Sequence, residues 1–172
     1  MSKILILYYS RRGQNYVNGT IRDLPRGNTE IAASFVQKAV GGDLFQVETV
    51  KPYSEDYTAC TEEAQAELRA GARPELKQSL DTLADYDTVF VCGPCWWGTF
   101  PCPIFTQLEA LDRTGKRVFP LMTHEGIGLG RCERDLKAIC RGASVGRGLA
   151  VRGADAAASE STVAAWARQC VG

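Results

Sequence analysis

The sequence predicts an α/β protein in which a parallel β-sheet lies between two layers of helices. Short apolar runs rich in β-branched and aromatic residues recur along the 172-residue chain, and helix-type segments alternate with them. This alternation, βαβαβαβαβα, requires right-handed crossovers, which place helices on both faces of a parallel sheet. We therefore expect a three-layer α/β/α sandwich with a five-stranded parallel sheet, formed as a single domain over residues 1–172.

The first half of the chain contains two of the expected strands. The apolar run at residues 3–10 is typical of a strand buried on both faces, and residues 43–50 form a second β-type run before Pro52. Between them, a helix is expected to start at the cap-type residues Asn28 and Thr29 and to end at a pair of glycines. These elements form the first crossover unit.

The remaining elements follow the same alternation. In chain order they are a polar helix at about residues 61–70, a short helical piece ending near Ala84, strands at 87–94, 116–123 and 143–151, and helices after Pro101, after the glycines that end at Gly130, and after Ser159 as the capping residue. In such sheets ligands bind beyond the carboxyl ends of the strands. The loops after strands one, three and four are therefore the candidate site.

Composition and charge narrow the class of function. Twenty basic residues balance twenty acidic ones, so no net field favours nucleic acid or an anionic membrane. The apolar run from Ile4 to Tyr9 is too short for a secretory signal or a membrane span, which predicts a cytoplasmic protein. Seven cysteines in such a chain are expected to be reduced thiols. The oligomeric state is left open.

The loop after strand one ends at the start of the first helix. Backbone N–H groups and the positive end of the helix dipole attract anions there, and the hydroxyls of Ser10 and Thr29 can donate to phosphate oxygens. Asn28 and Thr29 are equally good helix caps. The residues alone support a phosphate site and ordinary capping about equally.

This loop resembles the phosphate loop of the flavodoxin family, which commonly has the form SRTGNT. Ser10 and Arg11 match its first half, and Gly27, Asn28 and Thr29 match its second half. About fourteen inserted residues separate the halves, and Asn18 with Gly19 inside them predicts a type I′ hairpin. Whether this hairpin is a solvated decoration, covers the cofactor or forms a docking surface is left open.

The loop after strand three contains two adjacent tryptophans. Flavodoxins place an aromatic residue there against the isoalloxazine ring of FMN, and an aromatic face with nearby backbone groups suits such a ring. The candidate residues are Pro94, Cys95, Trp96, Trp97, Gly98 and Thr99. Packing under the sheet edge or at a dimer contact would also explain the tryptophans, and the sequence does not say which of them stacks.

The loop after strand four is rich in glycine and hydrogen-bonding groups. Its candidate residues are Thr123, His124, Glu125, Gly126 and Gly128. Glycines let the backbone approach a ligand closely, and the polar side chains can bind the edge of a ring. The spacing is not a Rossmann fingerprint, because the loop follows the fourth strand. His124, the only histidine, is either a ligand-binding group or an exposed loop residue.

The resemblance to flavodoxins extends over nearly the whole chain, from Lys3 to Trp166, through the order of these loops and a closing VAAW helix. It implies the strand order 2-1-3-4-5, FMN as cofactor, and chemistry on the flavin without a catalytic side chain. We see no insertion in strand five, so the short-chain form is the closer match. The resemblance also implies a redox partner protein or a small electron acceptor.

The neutral charge favours a second possibility within the same family. Electron-shuttling flavodoxins are typically acidic, whereas this chain has a pI near 6.6. An FMN-dependent NAD(P)H or quinone-type reductase is therefore the alternative to an electron carrier.

Two other classes of function need to be considered. Cys92 and Cys95 form a CGPC motif, as in thiol-disulfide oxidoreductases, although a reactive pair needs its first thiol at a helix start. Zinc binding by Cys92, Cys95 and Cys102 lacks a fourth ligand at matching spacing. A cofactor-free binding domain on the same fold is the remaining alternative.

Overall fold

In the computed structural model, which describes residues 3–172, six strands form a parallel sheet and a separate hairpin precedes the first helix. The elements are β1 (Ile4–Tyr8), β2 (Gly13–Val17), β3 (Thr20–Leu24), α1 (Asn28–Val40), β4 (Asp43–Gln46), α2 (Tyr57–Ala70), β5 (Thr88–Pro94), α3 (Cys102–Glu109), β6 (Arg117–His124), α4 (Cys132–Ile139), β7 (Ser144–Val145), β8 (Leu149–Arg152), a 3₁₀ helix (Gly153–Ala158) and α5 (Glu160–Val171).

The sheet has the predicted strand order. β1 pairs with β4 on one side and β5 on the other, β5 pairs with β6, and both β7 and β8 pair with β6, all in parallel. The order β4-β1-β5-β6 with β7 and β8 at the edge is therefore 2-1-3-4-5, with the fifth strand in two pieces. This confirms the predicted fold class.

The break in the fifth strand differs from the single strand predicted at residues 143–151. The carbonyl of Val118 accepts from the Gly146 N–H at 2.8 Å, so this side of β6 faces β7. Because strand residues alternate sides, Pro120 faces the same edge, and it has no N–H to donate. The ladder therefore stops and resumes at the pair Leu121–Leu149.

Two hydrophobic cores cover the two faces of the sheet. Leu5 and Leu7 of β1 belong to the core under α3 and α4, whereas Ile6 belongs to the core under α1 and α5, where Phe90 is fully buried. Alternate residues of a strand point to opposite faces, so one apolar run can supply both cores. This explains why β1 is buried along its whole length.

The inserted segment forms the predicted hairpin. β2 and β3 pair antiparallel with a two-residue turn, in which φ is +52° at Asn18 and +87° at Gly19. Positive φ at both central residues is what a type I′ turn requires. The hairpin is not part of the central sheet, and only Val17 of its strands is buried.

Three local predictions need correction. α2 starts at Tyr57, four residues before the predicted start, because the Asp56 side chain caps it by accepting from the Ala59 N–H at 2.9 Å. The helical piece expected before Ala84 is absent from the described chain: residues 75–84 are irregular, and the buried side chain of Gln107 satisfies both backbone groups of Leu80.

The predicted capping residues of two helices do not cap them with their side chains. Ser159 is at the N-cap of α5, but its hydroxyl donates to the Ala156 carbonyl. At α1 the N-cap is Gly27, and Asn28 and Thr29 are the first helical residues. No helix within residues 3–172 is both long and apolar enough to cross a membrane.

Candidate functional site

A cleft of about 470 Å³ opens at the carboxyl ends of β1, β5 and β6. It brings together residues from all three predicted loops: Ser10, Arg11, Asn28, Thr29, Pro94, Cys95, Trp96, Trp97, Thr123, His124, Glu125 and Gly126. The other predicted site residues, Gly27, Gly98, Thr99 and Gly128, are not among the lining residues and support the loops from behind. The volume is within the range of small-molecule and cofactor pockets.

The start of α1 forms one end of the cleft. Ser10 Oγ accepts from the Glu30 N–H at 3.0 Å, so the residue that caps this helix comes from the end of β1. A hydroxyl that accepts one hydrogen bond still has its own proton to donate. A side chain at Gly27 would collide with Ser10 Oγ and the Arg11 carbonyl, so only glycine lets the loop close. The loop thus places a hydroxyl that can donate beside the first turn of α1, an arrangement that suits an anion.

Thr29 lines the cleft and also contacts the loop after β6. Its side chain is buried, and its hydroxyl oxygen lies 2.7 Å from that of Thr123. One of these hydroxyls donates to the other, which joins the first turn of α1 to the end of β6. Thr29 therefore joins two of the predicted loops, and its role toward a phosphate stays a prediction.

The two arginines after β1 do different things. Arg11 donates to the carbonyls of Gln14 and Glu55, at 2.8 and 3.0 Å, and lines the cleft. Arg12 pairs with the carboxylate of Glu30 at 3.0 Å, away from the lining. Arg11 thus places positive charge at the cleft and ties the base of the hairpin to the segment before α2.

The two tryptophans occupy different environments. The backbone N–H of Trp96 donates to the Thr99 carbonyl at 2.8 Å across a tight turn, in which φ is +58° at Trp97 and +88° at Gly98. Trp97 is 47% exposed, and its indole N–H donates to the Thr61 carbonyl of α2 at 2.8 Å. Its ring is thereby held in a defined orientation at the cleft.

Trp96 is instead packed into an aromatic cluster. Its ring meets Tyr9 and Tyr53 edge to face, with centroid distances of 5.2 and 5.0 Å. The packing alternative considered for the tryptophans therefore describes Trp96. Trp97 is the ring with an exposed face.

Gly98 and Thr99 hold this loop against α4. The Gly98 carbonyl accepts from the Arg131 N–H at 2.6 Å, and the buried Thr99 hydroxyl donates to Asp135 at 2.6 Å. Their predicted place in the cofactor site is thus a supporting one.

His124 is held as a neutral imidazole. Its Nδ1 accepts from the backbone N–H groups of Gly126 and Gly128, at 2.9 and 3.1 Å, so the ring proton is on Nε2. Partial burial lowers the pKa of His124, and Arg152 adds to this, against the opposing effect of Glu125. Gly128 acts on the site through this hydrogen bond.

The hairpin borders the cleft, so it is more than a solvated decoration. Asn15 and Tyr16 line the cleft, and the Tyr16 ring stacks on Tyr57 at a centroid distance of 6.1 Å and an interplanar angle of 28°. The side chain of Gln14 accepts from the Tyr57 N–H at 2.8 Å. The inserted segment is therefore a wall of the site.

Several lining residues were not predicted: Asn15, Tyr16, Tyr57, Cys60, Thr61, Ala64, Ile127 and Gly153. Tyr57, Thr61 and Ala64 recur at helical spacing and form one face of α2. This spacing is visible in the sequence, but α2 was expected to begin only at Thr61, and nothing local shows which face of a polar helix meets a cleft.

The cysteine motif does not form an accessible thiol pair. Cys92 is within β5 and fully buried, and burial raises the pKa of its thiol far above the ordinary range. Burial also raises the pKa of Cys95, and the next helix starts only at Cys102. Within residues 3–172, no three His, Cys, Asp or Glu side chains are grouped so that they could hold a metal ion.

Comparison with known proteins identifies the family. The sequence model of a flavodoxin family, described as Flavodoxin, matches residues 24–170. The chain belongs to the flavodoxin family. A comparison with curated proteins finds no match. The match begins at the end of the hairpin, so the part of the chain it covers includes α1 and both later loops of the cleft.

Solved structures of other flavodoxin-like proteins share the fold. A candidate flavoprotein from Bacteroides uniformis ATCC 8492 is 29% identical, with a TM-score of 0.75 over 97% of this chain and 98% of that one. One from Bacteroides eggerthii DSM 20697 is 27% identical, with a TM-score of 0.79 over 100% and 99%.

A third neighbour carries a cofactor. A flavoprotein from Lactobacillus acidophilus NCFM, in complex with FMN, is 20% identical, with a TM-score of 0.67 over 94% of this chain and 99% of that one. At this identity the likeness shows the fold. Together with membership of the flavodoxin family, it supports FMN as the cofactor.

Proposed function

We propose that this chain binds FMN in the cleft and transfers electrons through it. The observation that carries the proposal is the meeting of an anion site at the start of α1 with the exposed face of Trp97 in one cleft of about 470 Å³. A phosphate and a flat aromatic ring are the two ends of FMN. When bound, FMN supplies the redox chemistry, and the protein supplies binding, orientation and electrostatics.

The phosphate end would be held by the start of α1. The first N–H groups of a helix have no intrahelical acceptors, and here they lie beside the Ser10 hydroxyl. The guanidinium of Arg11 adds positive charge. Backbone donors combined with the helix dipole are sufficient to bind a phosphate group.

The ring end would be held between Trp97 and the loop after β6. Trp97 offers an exposed aromatic face whose tilt is set by the hydrogen bond to Thr61. His124 holds its proton on Nε2 and so offers a donor, because Nδ1 is occupied by two backbone N–H groups. A neutral donor near a flavin ring sets its electronics without adding charge.

Comparison of FMN with riboflavin tests this arrangement directly. Flavin-free protein should bind FMN at one site and give the visible spectrum of a bound flavin, whereas riboflavin, which lacks the phosphate, should bind at least tenfold more weakly. Ser10→Ala should weaken FMN binding and leave riboflavin binding unchanged. A colourless protein that binds neither flavin would contradict the proposal.

The hairpin favours a reductase of small acceptors as the second candidate function. Asn15 and Tyr16 narrow the opening of the cleft, and the Tyr16–Tyr57 pair adds aromatic surface beside it. A wall of this kind leaves less room for a docking protein than for a planar small molecule such as a quinone. The chain has as many basic as acidic residues, which fits a reductase of small acceptors better than it fits an acidic, electron-shuttling flavodoxin.

Steady-state oxidation of NAD(P)H with 2-methyl-1,4-naphthoquinone distinguishes the two candidates. A reductase should turn over both substrates, and Tyr16→Ala should raise the KM for the quinone. FMN-loaded protein that shows no turnover but passes electrons to an added protein acceptor after chemical reduction would leave the carrier function.

We also propose that the protein is cytoplasmic. All seven cysteines are free thiols, which fits a reducing compartment. Cell fractionation with an antibody to the protein tests this.

A further inference from the structure

Glu125 ties the tip of the hairpin to the loop after β6. Its Oε1 accepts from the backbone N–H of Asn18 at 2.7 Å, across 107 residues of sequence. Arg152 reaches the same tip and donates to Asn18 Oδ1 at 3.4 Å. One carboxylate oxygen of the cleft wall thus connects the tip of the hairpin to the loop after β6.

The other oxygen of Glu125 is buried and has no hydrogen-bond partner within residues 3–172. This oxygen lies next to Gly153 and the side chain of Asn28. A methyl group added at Gly153 would collide with Glu125 Oε2 and would lie 2.7 Å from Asn28 Nδ2. A buried carboxylate oxygen without a donor is unfavourable. Since Glu125, Asn28 and Gly153 all line the cleft, a ligand there can supply the donor.

We propose that Glu125 is a positioning residue that couples FMN binding to closure of the hairpin, an inference that rests on the proposed function. Oε1 holds the Asn18 N–H, and Oε2 accepts a hydrogen bond from an O–H or N–H group of the bound FMN. The carboxylate then satisfies both partners at once. Each contact fixes the Glu125 rotamer that the other requires.

The base of the hairpin is anchored independently. Arg11 donates to the Glu55 carbonyl, and Gln14 accepts from the Tyr57 N–H. The contact that FMN binding would strengthen is therefore at the tip, where Asn18 is exposed and Glu125 supplies the connection. Because coupling between two binding events is reciprocal, FMN that tightens the tip is itself bound more tightly when the tip is closed. Among variants of one site, most of a difference in affinity lies in the release rate.

Hydrogen exchange and FMN release measured on the same variants test the coupling. In the wild-type protein, FMN should slow exchange of the Asn18 amide. Glu125→Ala should abolish this effect and release FMN about tenfold faster, the size expected for losing a hydrogen bond to a charged group. Glu62→Gln, a charge loss at an exposed position of α2, is the matched control and should behave like the wild type.

Glu125→Gln separates the two contacts. Its amide oxygen can still accept from Asn18, so exchange at the tip of FMN-free protein should match the wild type. Its amide group then presents a donor to the cleft, so FMN release should be as fast as in Glu125→Ala. This near-isosteric variant also keeps the test valid if Glu125→Ala folds poorly.

The two proposals fail in different ways. FMN binding in which Glu125→Ala keeps both the FMN-dependent protection of Asn18 and the wild-type release rate would overturn the coupling alone. A wild-type protein that does not bind FMN would overturn the coupling together with the proposed function.

Discussion

Trp97 has a left-handed backbone, with φ of +58°, a conformation that costs a bulky residue about 1–2 kcal/mol. Glycine adopts it freely, so Trp97→Gly should relieve this strain while losing the indole hydrogen bond to Thr61. We expect the free energy of unfolding of flavin-free protein to change by less than about 1 kcal/mol. FMN affinity should fall at least tenfold, which chemical unfolding and an FMN titration would measure.

Trp96→Ala is the matched control for this substitution. Trp96 packs against Tyr9 and Tyr53, so its loss should lower stability by about 3 kcal/mol. If Trp97→Gly instead lowered stability as much as Trp96→Ala does and left the FMN affinity of the folded protein intact, Trp97 would be a structural residue.

His124 should make stability depend on pH in a defined direction. Partial burial lowers the pKa of His124 from its ordinary value of 6.5, so the unfolded chain binds a proton more readily than the folded one. Its contribution to stability is therefore complete above pH 6.5 and is lost as the pH falls through the pKa of the folded state. NMR titration of the only histidine measures that pKa.

Comparison with His124→Gln checks the assignment, since this variant should lose the part of the pH dependence that lies below pH 6.5. A folded-state pKa at or above 6.5 would contradict the neutral imidazole bound by Gly126 and Gly128.

At the scale of elements, the hairpin can be separated from the fold. Gly13 and Leu24 are paired, so their ends are close enough to be joined by a short glycine link in place of residues 14–23. Only Val17 of this segment is buried, so the deletion should lower the Tm by no more than about 4 °C. FMN should be released faster, because Asn15, Tyr16 and the Asn18–Glu125 contact are gone.

Thermal unfolding monitored by circular dichroism measures the change in Tm, and flavin fluorescence measures the rate of FMN release. A deletion variant that does not fold would show that the hairpin is part of the core, which its exposure does not suggest.

At the scale of the whole molecule, FMN should stabilise the fold by mass action. The cleft joins the ends of β1, β5 and β6 to α1 and α2, so a ligand there binds the folded chain only. At a hundredfold excess over its Kd, FMN should add about 2.7 kcal/mol to the free energy of unfolding. Thermal shift across a series of FMN concentrations measures this, and riboflavin at the same concentrations should shift the Tm less.

Predictability from sequence followed how local each feature is. The apolar run of β1 and the Asn18–Gly19 turn depend on neighbouring residues, and both were predicted with the correct geometry. The start of α2 was missed although Asp56 is a recognisable cap, because the apolar pattern of this helix is weak. The split of the fifth strand depends on Pro120 in a different strand, which no local pattern shows.

From the order of residues along the chain, the α/β/α architecture and the three loops at one edge of the sheet could be derived, because hydrophobic periodicity and crossover handedness are set by local chemistry. The strand order was implied only by the resemblance to flavodoxins. Contacts between distant segments could not be derived. The choice of Trp97 as the exposed ring, the buried pair of Thr29 with Thr123, and the placement of the hairpin over the cleft through Glu125 exist only once the chain is folded. Such contacts depend on packing in three dimensions, which leaves no periodic trace in the sequence.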